Sequence, residues 1–168
     1  LDGAPRRYLS LVPTQLHRAL GSAPAVLASF DAVLVGGAAL APQLAARALA
    51  CGVPVVTTYG STETAGGCVY DGVPLDGVRV RLSGDGRIHI GGPTRATRYL
   101  DAAPTECVEA GTPGSSEIGE WLVTNDLGEW VDGRLRVLGR SDDVVISGGV
   151  NVHPVAVEAA LATLGGQC

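Results

Sequence analysis

Val53-Pro54-Val55-Val56-Thr57-Thr58, followed directly by Tyr59-Gly60-Ser61-Thr62-Glu63-Thr64, is the stretch whose reading decides the fold. The first six residues are apolar and β-branched, and short enough for a strand buried in a parallel sheet. The last six set down a glycine, three aliphatic hydroxyls and a carboxylate where that strand is expected to end. In open α/β sheets the crevice beyond the carboxyl ends of the strands is where ligands bind. Hydroxyls and backbone N–H groups there hold phosphate oxygens. A carboxylate beside them suits Mg²⁺, which takes few protein ligands and keeps water and phosphate oxygens around it. Read alone, the hexapeptide serves equally well as a polar strand-to-loop corner, so its neighbours must decide.

Upstream, Pro42 starts a helix that runs to about Ala50 and ends at Gly52, with Leu44, Ala45, Ala48 and Leu49 as a narrow apolar stripe. Before it, Asp31–Val35 is a continuous apolar strand, and Gly36-Gly37-Ala38 follows at its end. Two glycines there let a flat ligand lie against bare backbone. The same three residues also make a plain strand-to-helix turn. Leu9–Val12 is a short strand, and Pro13 opens a helix over about Thr14–Leu20 with Gly21 as its stop. The alternation predicts parallel strands joined by a crossover, with Gly-containing polar turns from two strands facing one crevice.

Downstream the period changes. Pro74-Leu75-Asp76-Gly77 is a turn, Val78–Leu82 alternates apolar and charged residues, and Gly84-Asp85-Gly86 turns into Arg87–Ile90. Asp101–Ser116, rich in Ala, Pro, Gly and acids, reads as an exposed loop. Trp121–Thr124, Glu129–Val131 and Leu135–Leu138 are further strands, with Asp132-Gly133 turning between the last two. Gly139–Asp143 reads as a linker, Val144–Ile146 as a short strand and Ser147–Asn151 as a glycine loop. Pro154 opens a final helix with Val157, Ala160, Leu161 and Leu164 on one face.

The chain has 168 residues, 46% of them apolar, which is a globular composition. A net charge of −5 without a basic block argues against nucleic acid as a partner. All 12 positive charges are arginine, so any lysine-dependent step needs residues outside this sequence. The first residue is not Met and the last strand and helix cannot bury a core, so a fragment of a longer protein is expected. Cys51, Cys68, Cys107 and Cys168 are scattered, which excludes a C-x-x-C zinc site and fits a reduced, cytoplasmic setting. No 18-residue apolar run exists. His17, His89 and His153 are isolated in sequence and read as ordinary surface or core residues.

Three separated motifs stand in a telling order: Tyr59–Glu63, Thr124–Gly128, and Gly139-Arg140-Ser141-Asp142-Asp143 through Ile146–Pro154. Together they resemble the adenylate-forming superfamily of acyl-CoA ligases, luciferases and peptide-synthetase adenylation domains. Ser10–Leu16, Leu34–Leu40 and Gly66–Gly72 are similar to its o-succinylbenzoate–CoA ligase branch. The resemblance implies an α/β fold: the C-terminal part of a large domain over residues 1–138, made of βαβ units to residue 64 and a mainly antiparallel β unit after it. Residues 139–168 would be the hinge and the start of a small mobile α+β domain. It also implies small-molecule partners (a carboxylate, ATP with Mg²⁺, and coenzyme A) and leaves a homodimer open.

The resemblance assigns roles residue by residue. Thr62 would contact the phosphate, Glu63 would help bind Mg²⁺, and Gly60 and Ser61 would belong to the same nucleotide-binding turn. Tyr59 would pack on adenine, with Gly36, Gly37 and Ala38 offering backbone to it. Asp126 would accept hydrogen bonds from the ribose hydroxyls, and Arg140 would reach the same ribose. Asp142 would be the hinge, Gly148 and Gly149 would line the pantetheine path, and Gly66 and Gly67 would shape the acyl pocket. Asn125 stands where the family usually has glycine, and asparagine tolerates a left-handed turn there. The family's phosphate loop would precede Leu1 and its adenylation lysine would follow Cys168, so these residues alone are expected to be inactive. Another fatty- or aryl-acid CoA ligase and a non-catalytic nucleotide-binding module are the alternatives.

Overall fold

The computed structural model describes residues 5–98, 120–147, 150–152, 154, 157, 160 and 161. Its first sheet has five strands in sequential order: β1 (Tyr8–Leu11), β2 (Ala32–Val35), β3 (Val55–Ser61), β4 (Gly66–Tyr70) and β5 (Val73–Pro74). β1, β2 and β3 are parallel, as the alternation of strands and helices predicts. β3, β4 and β5 are antiparallel.

Helix α1 (Pro13–Ser22) begins with proline in its first turn, and its Leu16 and Leu20, four apart, are buried. It does not stop at Gly21. Its ladder closes when the Ala23 N–H donates to the Ala19 carbonyl at 2.8 Å, and Pro24, which has no N–H to continue it, starts the short helix α2 (Pro24–Leu27). Helix α3 (Pro42–Ala50) ends as expected at Gly52, whose φ is +70°. Its buried stripe is narrower than expected: Ala48 is buried, Leu44 half-buried, and Leu49 is 77% exposed. Leu44 and Ala48 are one helical turn apart on the sheet side, whereas Leu49 lies 100° further round. Leu16, Leu20, Leu27, Val33, Val35, Ala48 and Val53 form the core of this half.

The strand expected to finish at Thr58 continues to Ser61, because Tyr59 pairs with Val69, Gly60 with Gly67 and Ser61 with Gly66. A Cβ on Gly60 would overlap the Gly66 carbonyl, so the glycine that looks like a turn signal serves a close strand approach. The chain turns later, through a single 3₁₀ turn at Thr62–Thr64 and Ala65 at φ +57°.

The second sheet is antiparallel, with β6 (Arg79–Leu82), β7 (Arg87–Gly91), β8 (Trp121–Val131) and β9 (Arg134–Arg140) in that order. Its core joins Val78, Ile88, Ile90, Leu122 and Leu135 to Cys68 and Val69 of β4, so β4 belongs to both sheets' packing. Two expectations fail here. Thr124–Gly128 is not a turn, because β8 is one 11-residue strand with a register shift at Leu127/Gly128. Gly139 and Arg140 are not linker but the end of β9. At Gly128 glycine permits close packing inside the ladder, since a Cβ there would stand 3.0 Å from both Ile88 Cδ1 and the Arg136 carbonyl, whereas Gly139 adopts φ +130°. The Asp132-Gly133 turn is as expected, with φ +48° and +74°.

β10 (Val145–Ser147) and β11 (Val150–Val152) form an antiparallel hairpin. The residues expected to be a glycine loop therefore include strand on either side of Gly148 and Gly149, which lie outside the described residues. Pro154, Val157, Ala160 and Leu161 are helical as expected, with Val157 and Leu161 exposed. The predicted loop at Asp101–Ser116, and Leu164, lie outside the described residues. Among the described residues no helix is long and apolar enough to cross a membrane.

Candidate functional site

The carboxyl ends of β1, β2 and β3, with the start of β4, bound an open crevice of about 500 Å³. Gly36 and Gly37 line it from the end of β2, Gly60, Ser61 and Thr62 from β3 and its turn, and Gly66 and Gly67 from β4. Seven of the predicted site residues thus converge where an α/β sheet offers its ligand crevice. Ala38 and Glu63 lie outside its lining. Ser10, Val12, Gln15 and Thr58 line it too and were not predicted as site residues. The signal was available for Ser10 and Val12, since a third parallel strand ends at the same sheet edge. Gln15 is placed by local chemistry: its Oε1 accepts the Val12 N–H at 3.0 Å at the start of α1.

The glycines have packing reasons independent of any ligand. A Cβ on Gly36 would overlap Thr58 Oγ1 and stand 2.9 Å from the Thr58 carbonyl oxygen. One on Gly67 would stand 3.1 Å from Thr58 Cβ. Bare backbone at the crevice wall follows from how tightly β2 and β4 flank Thr58. Below Thr62, Thr64 is buried and locks the turn: its Oγ1 receives the Ser61 N–H at 2.8 Å and lies 2.7 Å from the Gly66 carbonyl oxygen it donates to. The Glu63 carbonyl accepts the Ala96 N–H at 2.7 Å, which fixes the turn from its other side.

A second group of predicted residues assembles on the antiparallel sheet. Tyr59 projects from β3 against that sheet's core, and its hydroxyl donates to Asp126 Oδ2 at 2.7 Å. Burial, and then the Asp126 charge, push the Tyr59 phenol far above its ordinary range, so the proton stays on the phenol. Asp126 is fixed through its backbone: its N–H donates to Thr124 Oγ1 at 3.1 Å, and that hydroxyl donates to the Ile88 carbonyl at 2.9 Å. Asn125 has no left-handed φ and needs none, being mid-strand. Its carbonyl accepts the Ser141 N–H at 2.7 Å and its Oδ1 accepts from Arg87 Nη1 at 3.0 Å.

The β8–β9 register sets Arg140 directly across from Asp126. Its guanidinium nevertheless forms a two-pronged pair with Asp142, at 3.0 and 2.7 Å, which holds the Asp142 carboxyl below its ordinary range. Both side chains are exposed, so water screens the pair heavily. Among the described residues no three His, Cys, Asp or Glu side chains come together as a metal site. Mg²⁺ needs only one or two carboxylates beside phosphate oxygens and water, and the half-buried Glu63 directly follows Thr62, which lines the crevice.

Known proteins similar to this chain share its fold. Residues 6–123 match the family model described as AMP-binding enzyme. The chain is 48% identical over 167 residues to the probable 2-succinylbenzoate–CoA ligase of Mycobacterium tuberculosis, covering 96% of the chain and 41% of that relative. It is 32% identical to the 2-succinylbenzoate–CoA ligase of Escherichia coli, covering 92% of the chain and 34% of that protein. Among solved structures, o-succinylbenzoate CoA synthetase from Bacillus subtilis in complex with the acyl-adenylate intermediate OSB-AMP superimposes with a TM-score of 0.78 at 28% identity, over 94% of the chain and 36% of that structure. The same enzyme in complex with ATP and magnesium ion gives 0.77 at 27% identity, over 95% of the chain and 37% of that structure. The chain therefore spans about two-fifths of the curated Mycobacterium relative it matches.

Proposed function

The chain belongs to the AMP-binding enzyme family, and on that premise we propose that its parent protein is an ATP-dependent acyl-CoA ligase acting on 2-succinylbenzoate. A carboxylate oxygen of the acid attacks the α-phosphorus of ATP, giving acyl-adenylate and pyrophosphate. The thiol of coenzyme A then attacks the acyl carbonyl, giving 2-succinylbenzoyl-CoA and AMP. This is a step of menaquinone biosynthesis. The observation that carries the reading is the convergence of Gly36, Gly37, Ser61 and Thr62 on one strand-end crevice, with Asp126 tied to the adjoining Tyr59.

The first step gathers charge around the α-phosphate, so hydrogen-bond donors aimed there lower its barrier. The Thr62 hydroxyl is that donor, and Glu63 holds Mg²⁺, which neutralises phosphate charge when bound. The Tyr59 ring and the Gly36-Gly37-Ala38 backbone hold the adenine, and Asp126 receives the ribose hydroxyls. Arg140 reaches the same ribose after releasing Asp142, the hinge about which the small domain that follows it swings between the two half-reactions. Gly148 and Gly149 line the pantetheine path, and Gly66 and Gly67 border the acyl group.

The test uses the full-length parent with ATP, Mg²⁺ and coenzyme A, offered 2-succinylbenzoate beside benzoate, salicylate and a medium-chain fatty acid. Mass spectrometry is expected to find the thioester of 2-succinylbenzoate alone. Thioester from another acid instead would discard the substrate and keep the chemistry; no thioester and no acyl-adenylate from any acid would discard the ligase reading. The 168 residues by themselves are expected to show negligible ATP–pyrophosphate exchange, because the phosphate loop and the lysine are contributed by other parts of the parent.

A further inference from the structure

The nucleotide reading gives Tyr59 a use for its ring, which a phenylalanine would serve as well. Its hydroxyl needs a separate explanation, because a phenolic O–H drawn into a protein core is costly unless it finds a partner. The partner is Asp126, which lies in the other sheet and 67 residues along the chain. The bond engages one carboxylate oxygen, Oδ2; among the described residues Oδ1 accepts no hydrogen bond. Asp side chains rotate broadly about their terminal torsion. Here the backbone at Asp126 is pinned by Thr124 and the carboxylate by Tyr59, so that freedom is removed. The Arg140 guanidinium, across the ladder, is paired with Asp142, and among the described residues it makes no hydrogen bond to the Asp126 carboxylate.

We propose that Tyr59 is a positioning residue for the ribose: its hydroxyl holds Asp126 Oδ2 so that Oδ1 is presented, ready oriented, to the vicinal diol of the bound nucleotide. This rests on the reading of Asp126 as the ribose acceptor. Because the buried phenol keeps its proton throughout the working pH range, the donor is always present. A hydroxyl that only stabilised the fold would weaken every adenine nucleotide alike. A hydroxyl that orients the diol's acceptor acts only on ligands that carry the diol.

The test measures binding of AMP and of 2′,3′-dideoxy-AMP, which carries neither ribose hydroxyl, to the full-length parent by calorimetry, which requires no knowledge of the acyl substrate. Tyr59→Phe keeps the ring and is expected to weaken AMP by about tenfold, the loss typical of a hydrogen bond to a charged group. The same substitution is expected to weaken 2′,3′-dideoxy-AMP by less than about twofold, since with neither hydroxyl present the oriented acceptor has no ligand. Equal weakening of both nucleotides, or of neither, overturns the positioning role. Asp126→Ala separates the two layers: it is expected to erase the preference for AMP over 2′,3′-dideoxy-AMP. If that preference survives in Asp126→Ala, the ribose reading itself falls and Tyr59 has nothing to position.

Discussion

The parallel half and the antiparallel half hold their site residues in different ways. At the ends of β1, β2 and β3 the crevice is walled by backbone, and its shape comes from glycines that let strands approach: Gly36 against Thr58, and Gly60 against the Gly66 carbonyl. Of the predicted nucleotide-binding residues that line that wall, none carries a charge. On β8 and β9 the predicted site residues are charged side chains, Asp126 and Arg140, standing opposite each other beside a register shift and held by hydrogen bonds. One region presents shape and N–H groups, the other presents acceptors and a cation. Tyr59 connects them, with its backbone in the first sheet and its ring and hydroxyl in the packing of the second. A nucleotide asks for both, since its base and phosphates need close backbone and its sugar needs a polar acceptor.

The contrast is broken most severely by filling the backbone contacts. Gly60→Val would drive side-chain atoms into the Gly66 carbonyl, where backbone cannot give way. A loss of about 3 kcal/mol or more, or failure to accumulate folded protein, is expected on expression and chemical denaturation. The two cores come next. Ile88→Ala and Leu16→Ala each empty a fully buried position, one in each half, and each is expected to cost roughly 2–5 kcal/mol. Additivity of the two in the double variant would show the cores to be independent; strong coupling would blur the division drawn here.

Tyr59→Phe is smaller, about 1–2 kcal/mol, because it leaves the Asp126 carboxylate without its donor while keeping the ring in place. It also carries a pH signature. The folded state holds the Tyr59 proton more tightly than the unfolded chain does. Its stabilising contribution is therefore complete below the ordinary tyrosine range near ~10 and declines as pH rises above it. The parent is expected to lose stability faster than Tyr59→Phe above about pH 10, and parallel pH profiles would contradict the buried phenol. Least of all, Arg140→Ala should leave the melting temperature unchanged, because its pair with Asp142 is exposed and screened, while weakening nucleotide binding. A clear drop in melting temperature would mean that Arg140 is structural.

The sequence was legible where local chemistry and global packing agree. The parallel strands, the proline starts of α1 and α3, the end at Gly52 and the Asp132-Gly133 turn could all be read from it. Gly60 and Gly128 misled, because glycine marks either a turn or a close approach and only the partner strand says which; Gly21 and Gly139 misled because they lie within α1 and β9 and end neither. The crevice residues from β2, β3 and β4 were legible as a motif whose parts must meet. The Tyr59–Asp126 bond was not, since a contact across 67 residues of sequence leaves no trace in periodicity or spacing. Nor could spacing show that the Arg140 backbone would face Asp126.

That both halves build one nucleotide site is tested most directly by a crystal structure of the full-length parent with AMP. The expected result has the adenine between the Tyr59 ring and the Gly36-Gly37 backbone, with the ribose hydroxyls within hydrogen-bond distance of Asp126. AMP bound away from Asp126, or touching the crevice of the parallel sheet alone, would contradict it.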